Sequence, residues 1–443
     1  MLNIQNLQNL NWRKIAMIAG FIIVCLIIAF GIYLMFFKPV IVPEDTTKEV
    51  DIGQLPSADE GDQPGVIEEP VPGEAVLVDP VEDDAVIKIP AEVSFEDLPD
   101  QYAQGDITAV TNLTYEPSYA LTIDSTGNNA VVYHPESGKF YKITPSGNQI
   151  LMTNKIYKNV ENIAWSPKTE KAIMEFPDGT NILYNFDTDK QVTLPKNWTG
   201  FDFDSSGNQI VYKDVNPNED YRFMGIANAD GSGQKYLEYM GDEQNNFITD
   251  WSPNNKMVAQ YKSGKSGTSA ELFFLGQYDE KFKSITVNGY GLETAWTPDG
   301  SKLVYSAHNA FSDHKPLLHV VDAAGEKVGY NHHSLKLNTW ASKCTFASKD
   351  IMYCAVPKEL PYGAGLVPRI ADETADYIYK VDIKNGVKSF VAEPEIGYSF
   401  DQLQVSDDGS KLYFTDKTTK GLHVINLKKP SGIEIPEGES SSF

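Results

Sequence analysis

The sequence has 443 residues, a formal net charge of −24 and three cysteines. So large an acidic excess argues against nucleic acid as a main partner, because phosphate binding needs a basic surface. Cys25, Cys344 and Cys354 are too few for a disulfide-built domain or a cysteine zinc site.

The N-terminal region predicts a membrane anchor. Residues 15–37 are 23 consecutive residues without a charge, enough to cross the membrane as a helix. Arg13 and Lys14 precede this stretch, so the positive-inside rule places residues 1–14 in the cytoplasm and the rest of the chain outside. An uncleaved signal anchor fits better than a cleaved signal peptide, since the apolar run is long. We therefore expect a single-pass protein of the cell membrane whose bulk is periplasmic or on the cell surface.

The next segment, 38–105, predicts an acidic disordered linker. Residues 39–105 hold nine prolines and 18 acidic residues against two basic ones. Such a composition buries too little apolar surface to offset the ordering entropy, and its charges repel one another. A plain spacer is the simpler interpretation, and an acidic docking segment is the alternative.

From residue 106 the pattern changes to short strand-like runs separated by turn residues. The clearest is the decapeptide that starts at Trp296, in which Pro298, Asp299 and Gly300 form a turn and Leu-Val-Tyr follows as a strand. Weaker copies of this hairpin recur along the chain. Their first residues are Ile123, Trp165, Phe203, Trp251, Trp296, Phe346 and Val405.

The spacing of these copies averages 47 residues, and each interval holds about four strand-like runs. A four-stranded unit of this length is typical of a β-propeller blade. We therefore predict an all-β fold, a seven-bladed propeller of four-stranded antiparallel blades over residues 106–437, with a disordered tail at 438–443. The motif resembles the TolB-like, WD-like propeller repeats, whose signature is an aromatic residue followed by Ser-Pro-Asp-Gly. The resemblance implies a fold and, by analogy, a microbial envelope, and it leaves the function open.

Ring closure is also predicted. The last unit has strands near Phe400–Val405, Lys411–Phe414 and Leu422–Leu427 but only a weak fourth at Gly432–Ile435. Asp106–Tyr115, a strand ahead of the first unit, is expected to supply the missing outer strand and so remove a free sheet edge.

Cys344 and Cys354 lie in the first two predicted strands of the sixth unit. Aligned with the preceding unit, they face each other across the hairpin on one side of the sheet. Opposed residues lie within disulfide reach. A Cys344–Cys354 bond and two buried free thiols both fit this pattern.

The long-loop face, the side that carries the connections between second and third strands, is the predicted binding face. These connections are long in units three to six, at Lys213–Tyr221, Tyr261–Ala270, Ser306–Pro316 and Ala355–Asp376. Loop extensions on one side of a rigid ring are how repeat proteins build binding surfaces. The candidate binding residues are Tyr221, Arg222, Lys262, His308, Phe311, His314, Lys358, Tyr362 and Arg369.

The predicted function is a binding scaffold for an unknown protein or an envelope polymer. His308, His314, His332 and His333 fall in one unit, but their spacing matches no metal motif, and we predict no metal and no cofactor. No nucleophile elbow or phosphate-binding loop is present, and no catalytic residue is assigned. The alternative is a propeller enzyme, of hydrolase or lactonase type, with its site in the central channel.

Overall fold

The computed structural model describes Leu26 and residues 99–266, 268–278, 280 and 282–429. Apart from Leu26 and residues 99–105, the predicted cytoplasmic segment, membrane helix and linker lie outside the described residues, as do the tail and the weak strand at Gly432–Ile435. Within the described part of the chain, no helix has the length and apolarity needed to cross a membrane.

Seven sheets form the seven blades of a propeller, as the repeat predicts. Two short strands come first, β1 (Asp106–Thr108) and β2 (Thr111–Thr114). The strands of blades 1 to 3 are β3 (Tyr119–Ile123), β4 (Ala130–His134), β5 (Lys139–Ile143) and β6 (Gln149–Leu151); β7 (Asn162–Trp165), β8 (Lys171–Glu175), β9 (Asn181–Asn185) and β10 (Lys190–Leu194); and β11 (Trp198–Phe203), β12 (Gln209–Asp214), β13 (Phe223–Asn228) and β14 (Lys235–Tyr239).

The remaining blades follow in chain order. Their strands are β15 (Phe247–Thr249), β16 (Ala259–Ser266), β17 (Ser269–Leu275) and β18 (Ile285–Asn288); β19 (Tyr290–Trp296), β20 (Lys302–His308), β21 (Leu317–Asp322) and β22 (His333–Ser334); β23 (Cys344–Phe346), β24 (Ile351–Pro357), β25 (Asp376–Asp382) and β26 (Val387–Pro394); and β27 (Phe400–Val405), β28 (Lys411–Asp416) and β29 (Leu422–Asn426). Short 3-10 helices occupy some connections, at Glu219–Tyr221, Gly241–Asn246, Ala310–Ser312, Gly325–Lys327, Ala341–Lys343 and Pro368–Ala371.

The motif turns have the structural role that their periodicity predicts. Trp251 and Trp296 are buried, each against the preceding blade, and the Trp165 indole N–H donates to the carbonyl of Ala120 at 2.7 Å. The Asp299 carboxylate accepts from the backbone N–H of Ser301 within its own turn. Gly300 has a φ of +62° and donates its N–H to Thr297, so it closes the turn in a conformation that favours glycine.

The hydrophobic core is divided into layers between neighbouring blades. One buried cluster lies at each of the seven interfaces, because every sheet is apolar on both faces. The cluster between blades 2 and 3, for instance, packs Ile173 and Leu183 against Phe203 and Tyr212. First strands of neighbouring blades lie side by side around the centre of the ring. The blades thus present their connections on two opposite faces.

The predicted closing strand exists, but it is shorter than expected. β2 pairs antiparallel with β29 and completes blade 7. The prediction of one strand over Asp106–Tyr115 is wrong for its first half, since β1 instead pairs parallel with β26 and makes blade 6 five-stranded. The chain passes from blade 6 to blade 7 between β1 and β2. One short segment therefore covers the outer edges of two sheets, at β26 and at β29.

Candidate functional site

The long-loop face carries fewer long loops than the sequence indicates. Blade 3 has the connection 215–222, blade 5 has 309–316 and blade 6 has 358–375. In blade 4 the predicted loop Tyr261–Ala270 is wrong, because β16 continues to Ser266 and β17 begins at Ser269. The Gly and Ser residues there lie within a long hairpin, whose strands pair from Ala259 to Ser266.

The loops of blades 5 and 6 are joined by backbone hydrogen bonds. Gly363 donates its N–H to the carbonyl of Asp313 at 3.0 Å, and Gly365 donates to the carbonyl of His314 at 2.7 Å. Asp313 and His314 have φ values of 54° and 51°, a left-handed conformation that few residues other than glycine adopt. The turn is anchored by Asn309, whose side chain caps the following 3-10 helix. These contacts hold the two loops together as one surface.

His308 is the packing residue beneath these loops. It is the last residue of β20, only 3% exposed, and its ring lies 5.7 Å from that of His314. A Cβ atom added at Gly365 would lie 2.5 Å from Cγ of His308, and one added at Gly291 would lie 2.8 Å from Cδ2. Burial lowers the pKa of His308, and the nearby His314 lowers it further. We therefore assign His308 to loop packing as a neutral imidazole.

Large apolar side chains are exposed where the two loops meet. Phe311 is fully exposed, and Tyr362 is 70% exposed with its ring 5.8 Å from that of His314. Arg369 is exposed on the same loop and has no ion-pair partner among the described residues. We call the exposed apolar set the loop patch: Phe311, Tyr362, Leu366, Val367 and Ile370.

The remaining candidate residues lie elsewhere. Tyr221 is exposed on blade 3, two blades away from blade 5, and the neighbouring Arg222 donates to the carbonyls of Asn216, Pro217 and Gly241, so it braces its own loop. Lys262 lies in β16 and is half-buried.

Lys358 stands at the base of the blade 6 loop. Its ammonium pairs with the Glu393 carboxylate and lies 4.9 Å from the centre of the Tyr377 ring. Of the nine candidate residues, the structure therefore brings together His308, Phe311, His314, Tyr362 and Arg369.

Each blade is tied to the next by a hydrogen bond that involves a side chain, and the acceptor is usually a carboxylate or amide oxygen. The bonds run from Tyr119 Oη to Glu161 O, Gly200 N to Glu175, Trp251 N to Asp202, Thr294 Oγ1 to Asp250, Ser342 N to Glu293, Phe400 N to Asp376 and Leu121 N to Gln402. Asp202 and Asp250 each directly precede the first residue of their motif, and Glu293 and Gln402 each lie three residues before it. The other acceptors share no such position.

Three of these carboxylates have raised pKa values, with burial as the main cause: Asp202, Asp250 and Asp376. Burial raises the pKa of Asp202 to about 6. Burial also raises the pKa of Asp250 to about 8, with a further contribution from the charge of Asp202. Such values are typical of acid–base sites, but Gln260 and Thr294 donate to Asp250 and Trp251 donates to Asp202. Among the described residues, no three or more His, Cys, Asp or Glu side chains are arranged to hold a metal ion.

Cys344 and Cys354 are directly opposite each other in β23 and β24, with their Cα atoms 4.1 Å apart. In the structure they form a disulfide, the first of the two alternatives that the sequence left open. The bond joins the inner two strands of blade 6, the blade that carries the longest loop.

Sequence reasoning missed three members of the loop patch and one histidine. Leu366, Val367 and Ile370 stand in an apolar run inside a loop rich in Gly and Pro, a signal that was available in the sequence. His319 stacks on Tyr305 with the ring centres 5.0 Å apart, and only the strand register reveals that contact.

No protein-family model and no curated protein matches this sequence. Among solved structures, the chain is similar to the β-propeller domain of Myceliophteria thermophila Cps50 (Swd1), with 10% identity over 72% of this chain and 100% of that domain and a TM-score of 0.50. It also matches an oligogalacturonate lyase in complex with manganese, with 13% identity over 75% of this chain and 97% of that one and a TM-score of 0.47. A third match is Kuenenia stuttgartiensis hydrazine synthase, with 10% identity and a TM-score of 0.48. The match covers 74% of this chain and 99% of that one. The first similarity shows the propeller fold alone, and the other two carry no argument about function.

Proposed function

We propose that this chain is a binding scaffold, a propeller that docks a protein partner through the long-loop face of blades 5 and 6. The observation that carries the proposal is the loop patch, a set of exposed apolar side chains on two loops held together by backbone hydrogen bonds. Exposed apolar groups collected on one surface mark interaction sites. Arg369 adds a charged group of the type that is enriched at protein interfaces.

The loop patch has enough apolar surface to support specific binding. Burying one large apolar side chain contributes about 1.5–3 kcal/mol. Because the loops are already braced, a partner would pay little ordering entropy on binding them. Blades 3 and 4 contribute less to the proposed binding surface than the sequence indicates. Arg222 braces its own loop in blade 3, and the predicted blade 4 loop is part of a hairpin.

The scaffold role is favoured over a channel enzyme by the hydrogen bonding of the carboxylates between neighbouring blades. Those described above accept hydrogen bonds from the next blade, which gives them a structural role. An envelope polymer is the alternative ligand of the scaffold. The apolar character of the loop patch favours a protein.

We further propose that the propeller stands outside the cell membrane on an N-terminal anchor. The proposal rests on the uncharged run 15–37 and its flanking basic residues. A disulfide in blade 6 supports it, because disulfides persist in oxidising compartments.

Site-specific photocrosslinking in native membranes tests the scaffold. A photoreactive residue replaces Phe311 or Tyr362 in the loop patch, and a control replaces Lys168, an exposed motif-turn residue on the opposite face. We expect one discrete adduct from both loop positions and none from Lys168, and we expect Leu366→Ser to remove it. Equal adducts from both faces, or an adduct that survives Leu366→Ser, would overturn the proposal.

A further inference from the structure

A second surface, separate from the loop patch, lies between blades 3 and 4. It is a groove of about 740 Å³. One wall is the end of the outer strand of blade 3, Leu237–Tyr239, followed by Met240, Asp242 and Glu243. The other wall is formed by Phe273–Gly276 of blade 4 and by residues that follow it.

The floor of the groove is a row of aromatic rings. Phe247, Tyr261 and Phe273 stand directly opposite one another on three adjacent strands of blade 4. Their ring centres are 4.6 Å apart for the first pair and 6.1 Å for the second. Phe273 is 37% exposed, and Tyr239 on the facing wall is 51% exposed. The row therefore offers an accessible apolar surface inside the groove.

The rim is acidic. Four carboxylates line the groove, and its lining contains no lysine, arginine or histidine among the described residues: Glu238, Asp242, Glu243 and Glu280. Glu243 accepts from the Tyr261 hydroxyl, and Glu280 accepts from the N–H of Tyr278. The exposed side chains of Glu238 and Asp242 have no hydrogen-bond or ion-pair partner within the described residues.

Lys235, on the same strand as Glu238, does not neutralise the rim. Its ammonium donates to the carbonyl of Gln277 at 2.6 Å and lies 5.5 Å from the centre of the Tyr278 ring. The groove therefore presents uncompensated negative charge, which complements a basic ligand.

The groove also follows a sheet edge. β14 is the outermost strand of blade 3, and within the described chain no strand pairs with its outer edge. Leu237, Glu238 and Tyr239 of β14 all line the groove, and the pairing of β14 with β13 shifts register at Leu237, so the groove reaches the backbone at this end of the strand. On the other wall, β18 pairs only with Ser269–Leu272, so Phe273–Leu275 extends past the outer strand of blade 4. Unpaired strand edges are where extended peptides add by backbone hydrogen bonding.

We propose that this groove binds an extended basic peptide segment of another protein, with its backbone along the edge of β14. An apolar side chain of the segment packs on the row of Phe247, Tyr261 and Phe273. A lysine or arginine nearby faces Glu238 and Asp242. The proposal uses no residue of the loop patch and does not depend on it. A second copy of this chain is a poor source of the segment, because its net charge is −24.

The test measures binding of labelled nonapeptides to the full chain, purified in mild detergent, by fluorescence anisotropy. The probe alternates lysine and leucine. One comparison peptide has glutamate in place of lysine, and another has serine in place of leucine. We expect the lysine–leucine peptide to bind at least tenfold more tightly than either. Equal binding of the glutamate peptide would overturn the proposal.

Matched variants distinguish attraction of the peptide by the groove carboxylates from attraction by the overall negative charge of the chain. Glu238→Gln with Asp242→Asn is expected to weaken binding three- to tenfold, whereas Glu136→Gln with Asp187→Asn, which removes the same charge from exposed positions on blades 1 and 2, should leave it unchanged. Equal weakening by both pairs would assign the attraction to bulk charge and overturn the proposal.

A further variant tests the apolar contact. Tyr239→Ser, at an exposed edge position, is expected to weaken binding about tenfold without lowering the melting temperature. Phe273→Ser gives a second measurement from the opposite wall. A chain that binds no peptide but self-associates through Tyr239 and Phe273 would assign the groove to a second copy, against the proposal.

Discussion

His423 makes ring closure sensitive to acid. It lies in β29, is 3% exposed, and its Nδ1 hydrogen-bonds the Asn112 side chain of the closing strand β2. Its Nε2 is buried without a hydrogen-bond partner, and the ring stacks on Phe414. Burial lowers the pKa of His423 to about 4, although the Asp416 carboxylate acts in the opposite direction. Protonation therefore places an uncompensated charge at the closure.

The direction and size of the change in the free energy of unfolding follow from proton linkage. The unfolded histidine has a pKa near 6.5. Between this value and about 4 the unfolded chain binds a proton that the folded chain does not, so the free energy of unfolding falls as pH falls through that window. The loss at pH 5 relative to pH 8 is about 2 kcal/mol, and it approaches about 3.4 kcal/mol below pH 4. Above about pH 7.5 the histidine contributes no pH dependence.

Urea unfolding at pH 8 and pH 5 measures the effect. His423→Gln removes the titration, and other histidines with lowered pKa values, such as His134, His308, His319 and His332, contribute equally to both proteins and cancel. The variant is expected to lose about 2 kcal/mol less than the wild type between the two pH values. The same pH dependence in variant and wild type would refute the reasoning.

Three further predictions concern the loops, the disulfide and a buried ion pair. Gly365→Ala places a methyl group against His308 and should destabilise the protein by about 1–3 kcal/mol, while Gly264→Ala, which meets nothing within 4 Å, should leave the melting temperature unchanged. Reducing the disulfide, which spans ten residues of sequence, should lower the free energy of unfolding by about 2–3 kcal/mol, and the denatured oxidised chain should titrate one thiol rather than three. Asp376→Ala leaves the buried Lys343 ammonium and the Phe400 N–H unpaired and should cost about 3–5 kcal/mol. Lys343→Met in the same chain should restore the part that comes from the unpaired ammonium, as melting curves would show.

The blades were predictable because their signals are local. Each turn at the end of a first strand carries its own capping residues, and the strand Phe400–Val405 matches its predicted bounds. Closure by β2 was predictable because that stretch has no blade of its own. The parallel pairing of β1 with β26 was not, since nothing in either segment specifies a partner almost 300 residues away.

The candidate site was only partly predictable, for a different physical reason. Loop length indicates where a surface can form, and Phe311 and Tyr362 are exposed in two such loops. It does not show whether turn residues lie in a loop or within a long hairpin, which is why the prediction at Tyr261–Ala270 is wrong. The aromatic row in the groove requires the register of three strands, and the sequence alone does not specify it.

The contact between Asn112 and His423 has a consequence for synthesis. The two residues are 311 positions apart, so at about 5–20 residues per second the ribosome makes the second about 15–60 s after the first. For that time β2 lacks its partner in blade 7, and the ring cannot close until β29 has emerged. A nascent chain interrupted before Leu422 would keep an open seam with exposed strand edges. Closure of the ring thus waits for β29, and until that strand pairs with β2 the free edges of both can pair with other strands.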